Sequence, residues 1–218
     1  MKRRTLDLLF SAGAIAMAGL LVVLGLVMTS NANFAQGYVR DQLTQQHITF
    51  TPAAALSEEE AQSDCLVRNA GLPLTTGAQA ECYANEYIGL HLQSTADGQT
   101  YADLGTVQRG LRDDVAAATD TNDPDLADLQ TQLDDVTAQR ETLFKGETLR
   151  GLLLTSFGFS VFGDKGDQVA TVAFSAAALL ALLSIAGFIH AGRTSKDEAF
   201  APPAHTNGHL SDKELVGV

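Results

Sequence analysis

Three groups of residues carry chemistry beyond packing. Tyr83, Tyr87 and His91 recur at i, i+4 and i+8, so a helix there places two phenols and an imidazole on one stripe. Such a stripe either fills a helical core or faces a small ligand. With no second histidine near it in sequence it supplies no metal site. Cys65 and Cys82 are the only cysteines, and in an oxidising compartment a pair of thiols is read as a disulfide before a metal or redox centre. The third group is the apolar run GETLRGLLLTSFGFSVFG at 146–163, which contributes Phe157 and Phe159 as ligand or partner contacts beside Tyr83, Tyr87 and His91. There is no nucleophile elbow, no phosphate loop, no HExxH and no cysteine pair at metal spacing. The expectation is therefore a protein that is not an enzyme and has no cofactor, no metal and no catalytic residue.

Two uncharged stretches must position these residues. Leu8 to Met28 and Val169 to Ile189 are each 21 residues without a charge. As helices rising about 1.5 Å per residue they cross the roughly 30 Å bilayer core. Neither contains the ionisable group that an ion or proton pathway needs. A cleaved signal peptide is the alternative for the first, but signal cores run about 7 to 15 apolar residues, so an uncleaved anchor is favoured. Lys2, Arg3 and Arg4 before the first stretch and Arg193 and Lys196 after the second put both termini in the cytoplasm by the excess of basic residues. Residues 29–168 then lie outside, in a multi-pass cell-membrane protein.

Charge follows the same division. From Asn31 to Gln168 there are 21 Asp/Glu and 8 Lys/Arg, a net of −13 within a total of −12. Nucleic-acid binding depends on clustered Lys and Arg and is excluded.

Within 29–145 the pattern is helical. Ser57-Glu58-Glu59-Glu60 and Thr76-Gly77-Ala78-Gln79 are capping boxes, opening helices to about Asn69 and Gln93 and placing Cys65 and Cys82 on consecutive helices. Thr106 is read as the cap of a helix to Ala118 with Leu104, Val107, Leu111 and Val115 on one face. Asp123-Pro124 opens another, with Leu126, Leu129, Leu133, Val136 and Leu143 in a heptad seam and Arg140 in the remaining slot. The two form an antiparallel hairpin or, alternatively, a short intermolecular coiled coil. The 146–163 run is too short to span and is read as an interfacial helix, with 164–168 as a bend. Residues 190–218 are read as a disordered cytoplasmic tail. Small residues at Ala12, Ala16 and Gly19, with Ala14 and Ala18 beside them, and at Ala173, Ala177 and Ala181 favour packing of the spans on each other, or a homo-oligomeric interface.

Three blocks, PLTTGAQAECYANEYIGLHL at 73–92, GQTYADLG at 98–105 and TLFKGETLRGLLLTSFGFSVFG at 142–163, together resemble an uncharacterised group of actinobacterial membrane proteins. The resemblance implies two spans around an extracytoplasmic helical domain, with no established activity. Such proteins are sometimes labelled aromatic ring-opening dioxygenases. A non-haem iron site of that kind needs two histidines and a carboxylate, and outside the apolar stretches and tail only His47 and His91 are present, on separate segments.

The expected fold class is mainly α, with two transmembrane helices bracketing a disulfide-stapled extracytoplasmic helical domain and an interfacial helix. The expected partners are the lipid bilayer and a second copy or a larger membrane protein complex, without nucleic acid. The expected role is an accessory or scaffolding subunit, or alternatively a sensor or carrier of a small or lipidic ligand.

Overall fold

The computed structural model describes residues 3–121 and 123–195. The chain is mainly helical, and among the described residues there is no strand. Its helices are α1 (Arg3–Gln45), α2 (Asp64–Asn69), α3 (Gly77–Cys82), α4 (Gly89–Thr95), α5 (Tyr101–Thr121) and α6 (Leu126–Arg193). A π-helical segment, Tyr83–Ile88, joins α3 to α4. At 43 and 68 residues, α1 and α6 are about 65 and 100 Å long. Each is long and apolar enough to cross a membrane.

The chain divides into two compact units, Met1–Leu26 with Ala170–Val218, and Val27–Val169. In the first, the described parts of α1 and α6 meet through small side chains. Ser11, Ala18 and Gly25 of α1 are buried at seven-residue intervals, as are Ala170, Ala177, Ser184 and Ala191 of α6, with Ala173 buried between the first two. The Ser184 hydroxyl donates to the Ser11 carbonyl at 2.7 Å. A Cβ added at Gly25 would lie 2.6 Å from the Phe174 ring, so any larger residue there would have to displace that ring. The buried seam differs from the expected one. Ala173 and Ala177 face inward, but Ala12, Ala16 and Gly19 are exposed and Ala181 is half-buried. Residues four apart drift around the helix by about 40° per step, so a long contact between two helices selects the heptad spacing instead.

In the second unit, Ala32 and Ala35 of α1 pack against Gly163 and Gly166 of α6. The Gln36 amide donates to the Asp164 and Asp167 carboxylates at 3.0 and 3.3 Å. Farther along, the core is built from Val39, Leu43, Phe50, Leu66, Leu74, Ile88, Leu92, Leu104, Leu143 and Leu153. The 48–50 connector is held by its backbone, with Phe50 N–H donating to the Leu72 carbonyl at 3.0 Å and Leu74 N–H to that of Ile48 at 2.9 Å.

Gly146–Gly163 is not a separate helix, and 164–168 is not a bend, because both lie inside uninterrupted α6. The run contains glycine but no proline. An interior glycine costs about 1 kcal/mol but keeps its N–H in the helix ladder. Close packing on α1 at Gly163 and Gly166 offsets that cost. Of the tail read as disordered, residues 190–193 belong to α6 and 196–218 lie outside the described residues.

Local signals set most other boundaries. Both expected capping boxes form: Ser57 with Glu60, and Thr76 with Gln79. The first opens only a short 3₁₀ turn, Glu60–Gln62, because Ser63 is extended (ψ 110°) and α2 starts after it. The α5 helix begins six residues earlier than Thr106 implied, capped by Thr100. The Thr100 hydroxyl accepts from Asp103 N–H while the Asp103 carboxylate accepts from Thr100, and these bonds hold the Asp103 carboxyl below the usual carboxylate range. The turn before it uses positive φ at Asp97 (51°) and Gly98 (78°).

The hairpin of α5 with the start of α6 forms within the chain. Gln108 donates to the Thr137 hydroxyl at 2.7 Å, and the Arg140 guanidinium, 4.1 Å from the Tyr101 ring centroid, also donates to Gln108. Val107, expected on the inner face, is exposed, and Gln108 takes its place.

The Cys65–Cys82 disulfide is formed, joining α2 to the end of α3. Because it closes a short loop in a small domain, its reduction or a Cys65→Ser/Cys82→Ser double substitution should lower the stability of the Val27–Val169 unit by about 3 kcal/mol. Chemical denaturation with and without reductant measures it, and equal midpoints would contradict the assignment.

Candidate functional site

The Tyr83, Tyr87, His91 stripe folds as its spacing requires. Tyr83 and Tyr87 stack with ring centroids 4.6 Å apart, and Tyr87 and His91 follow at 4.5 Å. Phe50 closes the far end, edge-on to Tyr83 at 5.3 Å. The first two rings lie in the π-helical segment, whose wider turn alters their stagger relative to an α-helix. His91 hydrogen-bonds through Nδ1 to the Tyr87 carbonyl at 2.8 Å, which assigns the proton to Nδ1. Its Nε2 faces Glu60 Oε1 at 3.8 Å.

Glu60 is buried, and its other carboxylate oxygen accepts the Ser57 N–H at 2.8 Å. The same carboxylate therefore caps the 48–62 connector and meets the aromatic ladder. Burial, followed by the charges of Tyr87 and Glu60, pushes the Tyr83 phenol above its ordinary value. Glu60 and His91 make a carboxylate–imidazole pair, but among the described residues no set of three His, Cys, Asp or Glu could hold a metal ion. The arrangement is suited to holding α4 against the 57–62 turn.

Phe157 and Phe159 belong elsewhere. Phe159 lies edge-on to Tyr38 at 5.9 Å, and Tyr38 stacks with Phe34 at the same separation. Phe157 sits on the side of α6 facing the start of α3, where its Cα would lie 3.4 Å from a Cβ added at Gly77. The five residues expected to share one pocket therefore divide into a ladder (Tyr83, Tyr87, His91), a groove residue (Phe159) and a packing residue (Phe157).

The groove of Phe159 has a volume of about 380 Å³, within the size range of small-molecule sites. One wall is α1, through Tyr38, Val39, Gln42, Leu43 and Gln46, with Ile48 beyond it. The other is α6, through Leu149, Leu152, Leu153, Thr155, Ser156 and Phe159. The sequence marks the 146–163 run as apolar and Phe159 as a contact residue within it. It does not join that run to Tyr38, since the walls are more than 100 residues apart in sequence.

A second cavity of about 430 Å³ is polar, with Glu59, Asn85, Glu86 and Arg150 among its walls. Arg150 reaches Asn85 Oδ1 at 3.2 Å and Glu147 at 3.4 Å, while its Nε is buried without a hydrogen-bond partner. The facing acids make this cavity unfavourable for an anion.

The fold and its cavities define a class: a helical protein with a disulfide-stapled body and two helices long and apolar enough to cross a membrane. Comparison with protein-family models, curated proteins and solved structures returns no match.

The Tyr83 shift carries a sign. A raised phenol pKa means the folded state holds its proton after the unfolded chain has lost it. That stabilisation is complete below the ordinary value of 10.0 and is lost as the pH rises through the raised native value. In a spectrophotometric titration at alkaline pH, one phenol should ionise after the others, and Tyr83→Phe should remove that late step. A titration unchanged by the substitution would contradict the ladder.

Proposed function

We propose that this is a non-catalytic integral membrane protein, an accessory or scaffolding subunit that docks on a second copy or a larger membrane complex through an extracytoplasmic helical head. The observation that carries the reading is the exposure of the apolar segments. In the most apolar window of each long helix only 17% of residues are buried. Leu9, Phe10, Leu20, Val172, Leu182 and Leu183 all face outward. Apolar surface of that extent has no favourable place in water, and lipid removes it from water.

Orientation is supported by two independent features. Basic residues flank the apolar segments at the ends opposite the head, as cytoplasmic flanks do. The disulfide suits an oxidising compartment outside the cytoplasm. The role is supported in both parts of the chain. Among the described residues of the head, the Glu60–His91 pair is engaged in packing, and in the apolar stretch α1 keeps the Ala12, Ala16, Gly19 face exposed for a second copy. A specific observation favours the second reading, a sensor or carrier of a small or lipidic ligand: the uncharged groove between α1 and α6.

Two measurements test the proposal. A cysteine introduced as Gln99→Cys should react with a membrane-impermeant thiol label in intact cells, and labelling only after lysis would overturn the orientation. Extraction in mild detergent followed by native mass measurement should give a species heavier than one chain. A strict monomer with nothing bound would overturn the docking role.

A further inference from the structure

We infer that the groove between α1 and α6 holds one acyl chain of a membrane lipid. The inference rests on the membrane reading above and names the ligand class of that second reading. None of the twelve residues lining the groove is charged, whereas the other described cavities all carry Arg or Glu in their walls. An ionic ligand would find no counter-charge, and burying it would be costly.

The two hydroxyls in the α6 wall are already engaged. Thr155 donates to the Gly151 carbonyl at 2.8 Å and Ser156 to the Leu152 carbonyl at 3.1 Å, so this wall presents methyl and methylene surface. Leu152 in this wall is 62% exposed, a large apolar side chain that an aliphatic ligand would remove from water. The shape is elongated, since its α6 wall runs from Leu149 to Phe159, ten helical rises or roughly 15 Å.

The end toward the apolar segments identifies the source of the chain. Tyr38 lies ten residues after Met28, and Phe159 ten residues before Val169. Each is therefore about 15 Å along its helix from the end of an uncharged stretch. Phe34, about 9 Å past Met28, stacks on Tyr38, and Tyr38 meets Phe159. The three rings run from the outer edge of the headgroup layer, about 5–7 Å thick on each side, to the mouth of the groove. An acyl chain following them stays on apolar surface throughout, and the lipid's polar group remains among the headgroups.

The test uses the full chain in nanodiscs of phosphatidylcholine and phosphatidylglycerol containing a phosphatidylglycerol with a photoreactive diazirine in one acyl chain. After irradiation and proteolysis, adducts are expected on two sets of peptides: those covering Leu8–Met28, from lipid surrounding the span, and those covering 38–46 and 149–159, from the groove. Ser156→Trp, which fills the groove, and Leu152→Glu, which puts a charge in its exposed wall, should each reduce the groove adducts by roughly tenfold, the loss expected from displacing a couple of buried methylenes. The span adducts should stay unchanged. Groove adducts absent from the unaltered protein, or undiminished in both variants, would overturn the proposal. Loss of the span adducts as well would instead show that the membrane reading itself is wrong.

Discussion

Close approach between α1 and α6 is the contact on which both compact units depend, and it is made by side chains that are almost absent. In one unit Ser11, Ala18 and Gly25 meet Ala170, Ala173, Ala177 and Ser184. In the other, Ala32 and Ala35 meet Gly163 and Gly166. Small residues gain little from the hydrophobic effect. What they allow is backbone proximity, which multiplies dispersion contacts and brings a hydroxyl such as that of Ser184 within reach of a carbonyl across the interface. An interface of this kind is effective where the surroundings are as apolar as the side chains. The exposed side chains beside this seam in the first unit, Leu9, Phe10, Leu20, Leu182 and Leu183, are themselves apolar.

The helical head has a different problem. Its core is small, and several of its helices have only six or seven residues. Helices that short are marginal by themselves because nucleation is expensive relative to the few hydrogen bonds they complete. The chain compensates with covalent and polar fixings. The disulfide ties α2 to α3, Glu60 both caps its turn and faces His91, and Gln79 serves two backbone donors near Thr76. Glu60 and His91 are therefore better understood through what they immobilise than through acid–base chemistry. Each is held by a neighbour that a reacting substrate would have to displace.

Much of this was legible from single residues. Thr76 and Asp123 marked helix starts, and Ser57 the start of a 3₁₀ turn, because a capping side chain acts within three residues. The pairing of Cys65 with Cys82 followed from there being no other thiol. What was missed depended on distant partners. The continuity of α6 through Gly163 and Gly166 is supported by α1, far away in sequence, and glycine taken alone suggests a break. The inner face of α5 was misassigned at Val107 because Gln108 is stabilised there by Thr137 and Arg140, and a hydrophobic period does not reveal polar partners. The grouping of Phe159 with Tyr38, away from Tyr83 and His91, has the same origin.

The polar cluster in the hairpin explains why that hairpin has one register. Leu126, Leu129, Leu133, Val136 and Leu143 repeat closely enough that sliding α5 by a turn would still match leucine with aliphatic side chains. A leucine at position 140 would add apolar area and remove the last distinction between registers. Arg140 supplies that distinction. Its guanidinium lies over Tyr101, approaches Gly105 to 3.2 Å of an added Cβ and donates to Gln108, so only one alignment satisfies it. Displaced by a turn, Gln108 would be buried without Thr137 or Arg140, and an unsatisfied buried amide costs about 1–3 kcal/mol. Specificity here comes from the penalty on the wrong alignments more than from the strength of the right one.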